Sequence, residues 1–128
     1  MDYHFTKIVQ MSFDDAIRKV TEELKKEGFG VLTEIDVRET LKKKLNVDFR
    51  RYRILGACNP QFAYQALQAE DKIGTMLPCN IVVQEMTGGG IEVSAVDPVA
   101  SMQAIENPTL AKTAEQVQAK LRNVIDSL

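Results

Sequence analysis

Two cysteines are the residues of this chain best suited to chemistry: Cys58 in "ILGACNPQFA" and Cys79 in "MLPCNIVV". Each is followed by asparagine, and each lies within two residues of a proline. Cys58 falls where an apolar strand ends and a helix opens. Unsatisfied N–H groups and the helix dipole at such a point favour an anion, so a thiolate there would be stabilised. Strand-to-helix turns are also where ligands bind in α/β sheets. The competing reading is packing: Gly56, Ala57 and Cys58 are all small, and cysteine is among the most often buried residues. Two thiols cannot complete a tetrahedral zinc site. A metal at Cys58 and Cys79 would therefore be a soft ion at low coordination, or one shared across a dimer, with Met76 as a further soft ligand. A redox pair of the same two thiols is the alternative, although their spacing is not that of a CxxC motif.

The rest of the chain narrows the chemistry. His4 is the only histidine, so neither a serine triad nor a multi-histidine metal site is readily built. The "TGGG" at 87–90 is followed by a strand pattern, not by the Lys-Ser/Thr and helix of a phosphate loop, and reads as a hairpin turn. Among the carboxylates, Glu70, Asp71, Glu85 and Asp97 have no spacing that forces two together as general acid and base. The run "KKKLNVDFRRYR" gathers Lys42, Lys43, Lys44, Arg50, Arg51 and Arg53. Such a run steers anions, but more commonly it is a solvated helix face beside a charged strand edge.

The chain has 128 residues, 45% of them apolar and 27% charged, with a net charge of −2. That length suits one domain, 1–128, with a sizeable core. The charge speaks against a nucleic-acid-binding domain. No basic segment leading into an apolar stretch opens the sequence, as a signal peptide would require, and no apolar run approaches membrane-spanning length. A cytoplasmic protein with free thiols is the expectation.

The elements that must position the cysteines follow from periodicity and punctuation. "DYHFTKIV" alternates as a strand. "SFDDAIRKVTEELKKEGFG" is an amphipathic helix with Ser12 as cap, Gly28 as stop, and Asp14–Arg18, Asp15–Lys19 and Glu22–Lys26 as i,i+4 pairs. "GVLTEIDV" is a strand, and "DVRETLKKKLN" a short helix capped by Asp36. "FRRYRILGAC" is a strand leading to a helix over 59–74, with Asn59 at the N-cap and Pro60 at its first position. Pro78 points to an extended "TMLPC". At 1.5 Å per residue that helix carries the chain away about 22 Å, and the extended return recovers about 16 Å. The thiols then share an edge of the sheet; a return that is not extended puts them at opposite ends. "NIVVQEM" and "IEVSAV" form the hairpin. Asp97 caps a short helix, and a last helix carries the stripe Leu110, Ala114, Val117, Leu121, Val124 and Leu128. That stripe packs on the sheet or, as the alternative, forms a dimer seam. The order β-α-β-α-β-α-β-β-α-α is that of an α+β fold, with a mixed or antiparallel sheet of about five strands and helices packed on it.

With these residues assembled, "YRILGACNPQFAYQALQAEDKIGTMLPCNIVVQE" and "GGGIEVSAVDP" resemble the family known only as domain of unknown function 302. The resemblance runs from "FDDAI" to the final helix. It implies an α+β fold with helices on one sheet face and a homodimeric assembly. It matches Cys58, Asn59, Pro60, Pro78, Cys79, Asn80 and Asp97 to signature positions without assigning them a role. Three readings result. The first is a small-molecule or soft-metal site, such as zinc, formed by Cys58, Asn59, Pro60, Met76, Pro78, Cys79, Asn80 and Asp97, with an anionic ligand included in its scope. The second is a thiol-based redox enzyme or sensor using Cys58 with Cys79. The third is a dimerising domain without a site.

Overall fold

In the computed structural model, which describes residues 2–128, the alternation of the first strand is literal. β1 (His4–Val9) turns Phe5, Lys7 and Val9 toward the interior, and His4, Thr6 and Ile8 away from it. The other strands are β2 (Gly30–Asp36), β3 (Tyr52–Cys58), β4 (Cys79–Glu85) and β5 (Ile91–Val96). They form one sheet in the order β1-β5-β4-β3-β2, antiparallel at every pairing. The "TGGG" segment joins β4 to β5 as a hairpin, closed by a bond from the Met86 N–H to the Gly90 carbonyl.

Two long helices cover one face. α1 (Phe13–Lys26) begins where the Ser12 hydroxyl accepts the Asp15 N–H, and α5 (Pro108–Asp126) begins where the Asn107 side chain accepts from Thr109 and Leu110. Leu55, Ile81, Val83 and Val93 of the strands interlock with Val20 and Leu24 of α1 and with Leu121 and Val124 of α5. The α5 stripe is therefore turned inward, with Val117, Leu121 and Val124 in the sheet's core and Leu110 in a second, smaller cluster. Lys7 reaches across to the carbonyls of Asp126 and Leu128, where a cation complements the C-terminal end of the helix. The opposite face of the sheet, with Asn80, Gln84, Glu92 and Ser94, carries neither α1 nor α5.

The charge pattern of α1 differs from the expected i,i+4 ladder. Lys19 and Lys26 both turn to Glu23, at 3.5 and 2.9 Å, and Asp15 pairs with Arg18. Glu23 lies on the inner edge of the helix and is 7% exposed. The least hydrated carboxylate draws the cations, because desolvation strengthens each attraction. The hydrogen bond from Lys26 holds the Glu23 carboxyl below its usual range.

α2 (Val37–Leu45) is capped by Asp36 as expected, yet it buries no residue. Half of the basic run around it meets carboxylates, and a fourth residue meets a neutral amide. Lys42 meets Asp48, Lys43 meets Glu39, Arg53 meets Glu34 and Asp36, and Arg50 donates to Gln84. Among the described residues no helix is long and apolar enough to cross a membrane.

Candidate functional site

The segment between β3 and β4 departs most from its sequence pattern. α3 spans Pro60–Ala69 only; a 3-10 turn, Ile73–Met76, follows, and the Leu77–Pro78 peptide bond is cis. The expected helix to residue 74 and the extended "TMLPC" are thus both corrected. Glu70, Asp71 and Lys72 form a polar interruption that the helix cannot bury. The return is not extended, yet the cysteines do not lie at opposite ends of the sheet. β4 starts directly beside the end of β3, with Ala57 opposite Cys79 and Cys58 the next residue along. A shorter outgoing helix needs a shorter return.

Asn59 also departs from expectation. It occupies the N-cap position of α3, but its side chain makes no capping bond there. Its Nδ2 instead donates to the Glu27 carbonyl at 3.2 Å, at the end of α1. That end is a Schellman turn, with the Phe29 N–H on Leu24 and the Gly28 N–H on Lys25. Gly28 has φ +86°, and a Cβ there would come within 3.0 Å of Asn59 Nδ2. Glycine at 28 therefore serves both the helix stop and the Asn59 bridge. The bridge pins the Cys58–Asn59 turn to α1 and leaves the first N–H groups of α3 without a side-chain acceptor from the cap.

Across the sheet, Gly56 clears space of a different kind. A Cβ at that position would run into the Thr33 hydroxyl and approach Pro78 Cγ to 2.7 Å. Thr33 sits just past a bulge in β2, where the register against β3 shifts between Val31 and Thr33. The bulge leaves Leu32 69% exposed, and Leu32 and Thr33 both reach the site.

These elements enclose a half-open cavity of about 290 Å³. α3 packs on α5 and on the 3-10 turn rather than on the sheet, so a gap remains under it. Ala57, Cys58 and Cys79 line it from the strand ends, and Phe62, Ala63 and Ala66 from α3. Leu110, Thr113, Ala114 and Val117 close it from α5, with Phe29, Pro98 and Met102 at its margins. It divides the main core from a small second cluster built on Ala66, Ile73 and Leu110. Nearly every lining atom is apolar.

The two thiols differ. Cys79 is buried, and burial first, with the nearby Cys58 second, pushes its pKa up to about 11. It stays protonated near neutral pH and behaves as a small apolar wall residue. Cys58 is half-buried at the same cavity, and both cysteines are free thiols. A protonated Cys79 is a poor resolving nucleophile, since thiol exchange needs the thiolate.

The remaining residues named from the sequence scatter. Pro78 lines this cavity together with Cys58, Asn59 and Cys79. Met76 and Asn80 instead line a neighbouring hollow of about 180 Å³, which shares Leu77, Pro78, Cys79 and Met102 with the first. Pro60 is exposed at the first turn of α3 and lines neither. Asp97 caps α4 (Pro98–Ser101), accepting from the Val99 and Ala100 N–H groups and from Gln118 Nε2. Its role is to fasten α4 to α5. No three His, Cys, Asp or Glu side chains gather as metal ligands among the described residues. The sequence reading missed the α3 and α5 walls, Phe62, Ala63, Ala66, Thr113 and Ala114. Small and apolar residues at helical spacing fit a filled core equally well, so the pattern carried no sign of a void.

The fold recurs in a solved structure. No curated protein matches the chain. A crystal structure of an uncharacterized conserved protein DUF302 from Bacillus stearothermophilus is similar, with 31% identity, 98% of each chain covered and a TM-score of 0.91. The family described as domain of unknown function DUF302 matches residues 5–128. On that match, which takes in both cysteine segments and every strand residue but His4, the chain belongs to the DUF302 family.

Proposed function

We propose that the protein binds a small, mainly apolar molecule in the cavity between α3, α5 and the ends of β3 and β4. The observation that carries this reading is an apolar, half-open hollow of about 290 Å³ beside a core whose large aliphatic side chains have almost no exposed surface. Packed interiors rarely hold voids larger than a water molecule. An apolar cavity of about 150 Å³ is enough to take up benzene. A two-ring molecule or a chain of about ten carbons therefore suits this one. Cys58, Asn59, Thr33 and Thr113 are the polar groups available to orient it.

The test is a titration with naphthalene, followed by backbone amide shifts in NMR. Shifts should concentrate at Ala57, Phe62, Ala114 and Val117. Ala63→Phe fills the hollow from α3 at a half-buried position and should abolish them while the protein stays folded. Absent or dispersed shifts, or shifts that survive in the filled variant, would sink the reading.

A further inference from the structure

The chain carries two cysteines and five methionines. Four of these seven sulfur-bearing residues line two adjoining hollows of the fold. Cys58, Cys79 and Met102 line the larger cavity; Met76, Cys79 and Met102 line the smaller hollow on the other side of the Leu77–Cys79 segment. They come from the end of β3, the 3-10 turn, the start of β4 and the residue after α4. Tertiary structure, not local spacing, brings them together. We propose that Cys58, Cys79 and Met102, with Met76 on the solvent side, bind a soft monovalent cation of the copper(I) and silver(I) class.

Ligand chemistry selects the class. Thiolate and thioether sulfur favour copper(I) over harder ions. Zinc, the ion considered from the sequence, needs four N, S or O donors of a kind that does not gather here. Charge selects it again. Binding releases one proton, Cys–SH + M⁺ → Cys–S–M + H⁺, so one thiolate and one monovalent ion leave no net charge among Ala57, Leu77, Pro78 and Pro98. A divalent ion would be neutralised only by displacing both thiol protons, which places two thiolates in the same apolar hollow. Met76 is 44% exposed, while Cys79 is 7% exposed. An ion captured at Met76 thus has a sulfur-lined way inward through Met102.

This inference does not rest on the apolar-ligand reading, and one variant separates the two. The reduced protein is titrated with copper(I) against a competing chelator, with native mass spectrometry giving the stoichiometry. One ion per chain is expected. Cys58→Ser and Cys79→Ser should each weaken binding at least about 100-fold, and Met102→Leu, which keeps the volume, about 10-fold or more. Met76→Leu, which lies outside the larger cavity, should also weaken copper(I) binding while leaving naphthalene binding unchanged. The proposal is overturned if the chelator strips all copper(I) from the wild-type chain. It is equally overturned if Met102→Leu and Met76→Leu both bind copper(I) as the wild type does, since a pair of cysteines alone would then account for the ion.

Discussion

The face where α1 and α5 meet the sheet and the end where α3 bridges β3 and β4 are built on opposite rules. On the face, large aliphatic side chains interlock, and Val20, Leu24, Ile81, Val83, Val93 and Leu121 have no exposed surface. At the end, Ala57, Ala63, Ala66 and Ala114 stand among larger wall residues such as Phe62, Leu77 and Leu110, and a hollow remains. The first region supplies stability through close packing. The second gives up contacts to keep a shaped space, which is what a binding site needs. The contrast also explains the two cysteines. Cys79 belongs to both regions, as partner of Ala57 within the main core and as a buried wall residue of the hollow, while Cys58, one residue beyond Ala57 on the neighbouring strand, is half-buried at the hollow.

Truncation should expose this contrast most strongly. Leu121→Ala removes a fully buried side chain from the packed face and should cost about 2–5 kcal/mol in urea denaturation. The same change at Leu77, half-buried at the cavity wall, only widens an existing hollow and should cost about 1 kcal/mol. Equal costs would erase the distinction between the regions.

The next effect is pH-dependent. Cys79 titrates near 9 when freely hydrated and near 11 in the fold. The folded state thus holds its proton more tightly than the unfolded chain. The resulting stability is fully present below pH 9 and is lost as pH rises from about 9 to 11, amounting to about 2–3 kcal/mol. Urea midpoints across that range should fall for the wild type, and the part due to this thiol should vanish in Cys79→Ala. An equal fall in the variant would assign the loss to other groups.

Crowding at the margin of the site gives a comparable or smaller effect. Gly56→Ala places a methyl against Thr33 and the rigid Pro78 ring, and should cost about 1–3 kcal/mol. Adding Thr33→Ala should recover part of it. If it recovers nothing, backbone freedom at 56, not the closeness of Thr33, is the reason for glycine.

Much of the fold was legible because local rules sufficed. Ser12, Asp36 and Asp97 cap the helices that follow them, and a cap needs only the next three N–H groups. The glycine turn and the 4-3-4 stripe of α5 likewise carried their own meaning. Asn59 misled because its amide found a carbonyl 32 residues away, and no neighbour in sequence announces that competition. The predicted i,i+4 pairs of α1 failed for the same kind of reason, because the sheet beneath made Glu23 the least hydrated carboxylate.

The sequence by itself determined the element order, the strand faces, the helix starts and the two cysteine segments as the place of interest. These are consequences of periodicity, caps and turn residues, all read within a few positions. Only the tertiary structure decided that β4 begins beside the end of β3, that α3 rests on α5 rather than the sheet, and that a largely apolar hollow lies between. A void is a property of what several distant segments fail to fill, and no single segment encodes it.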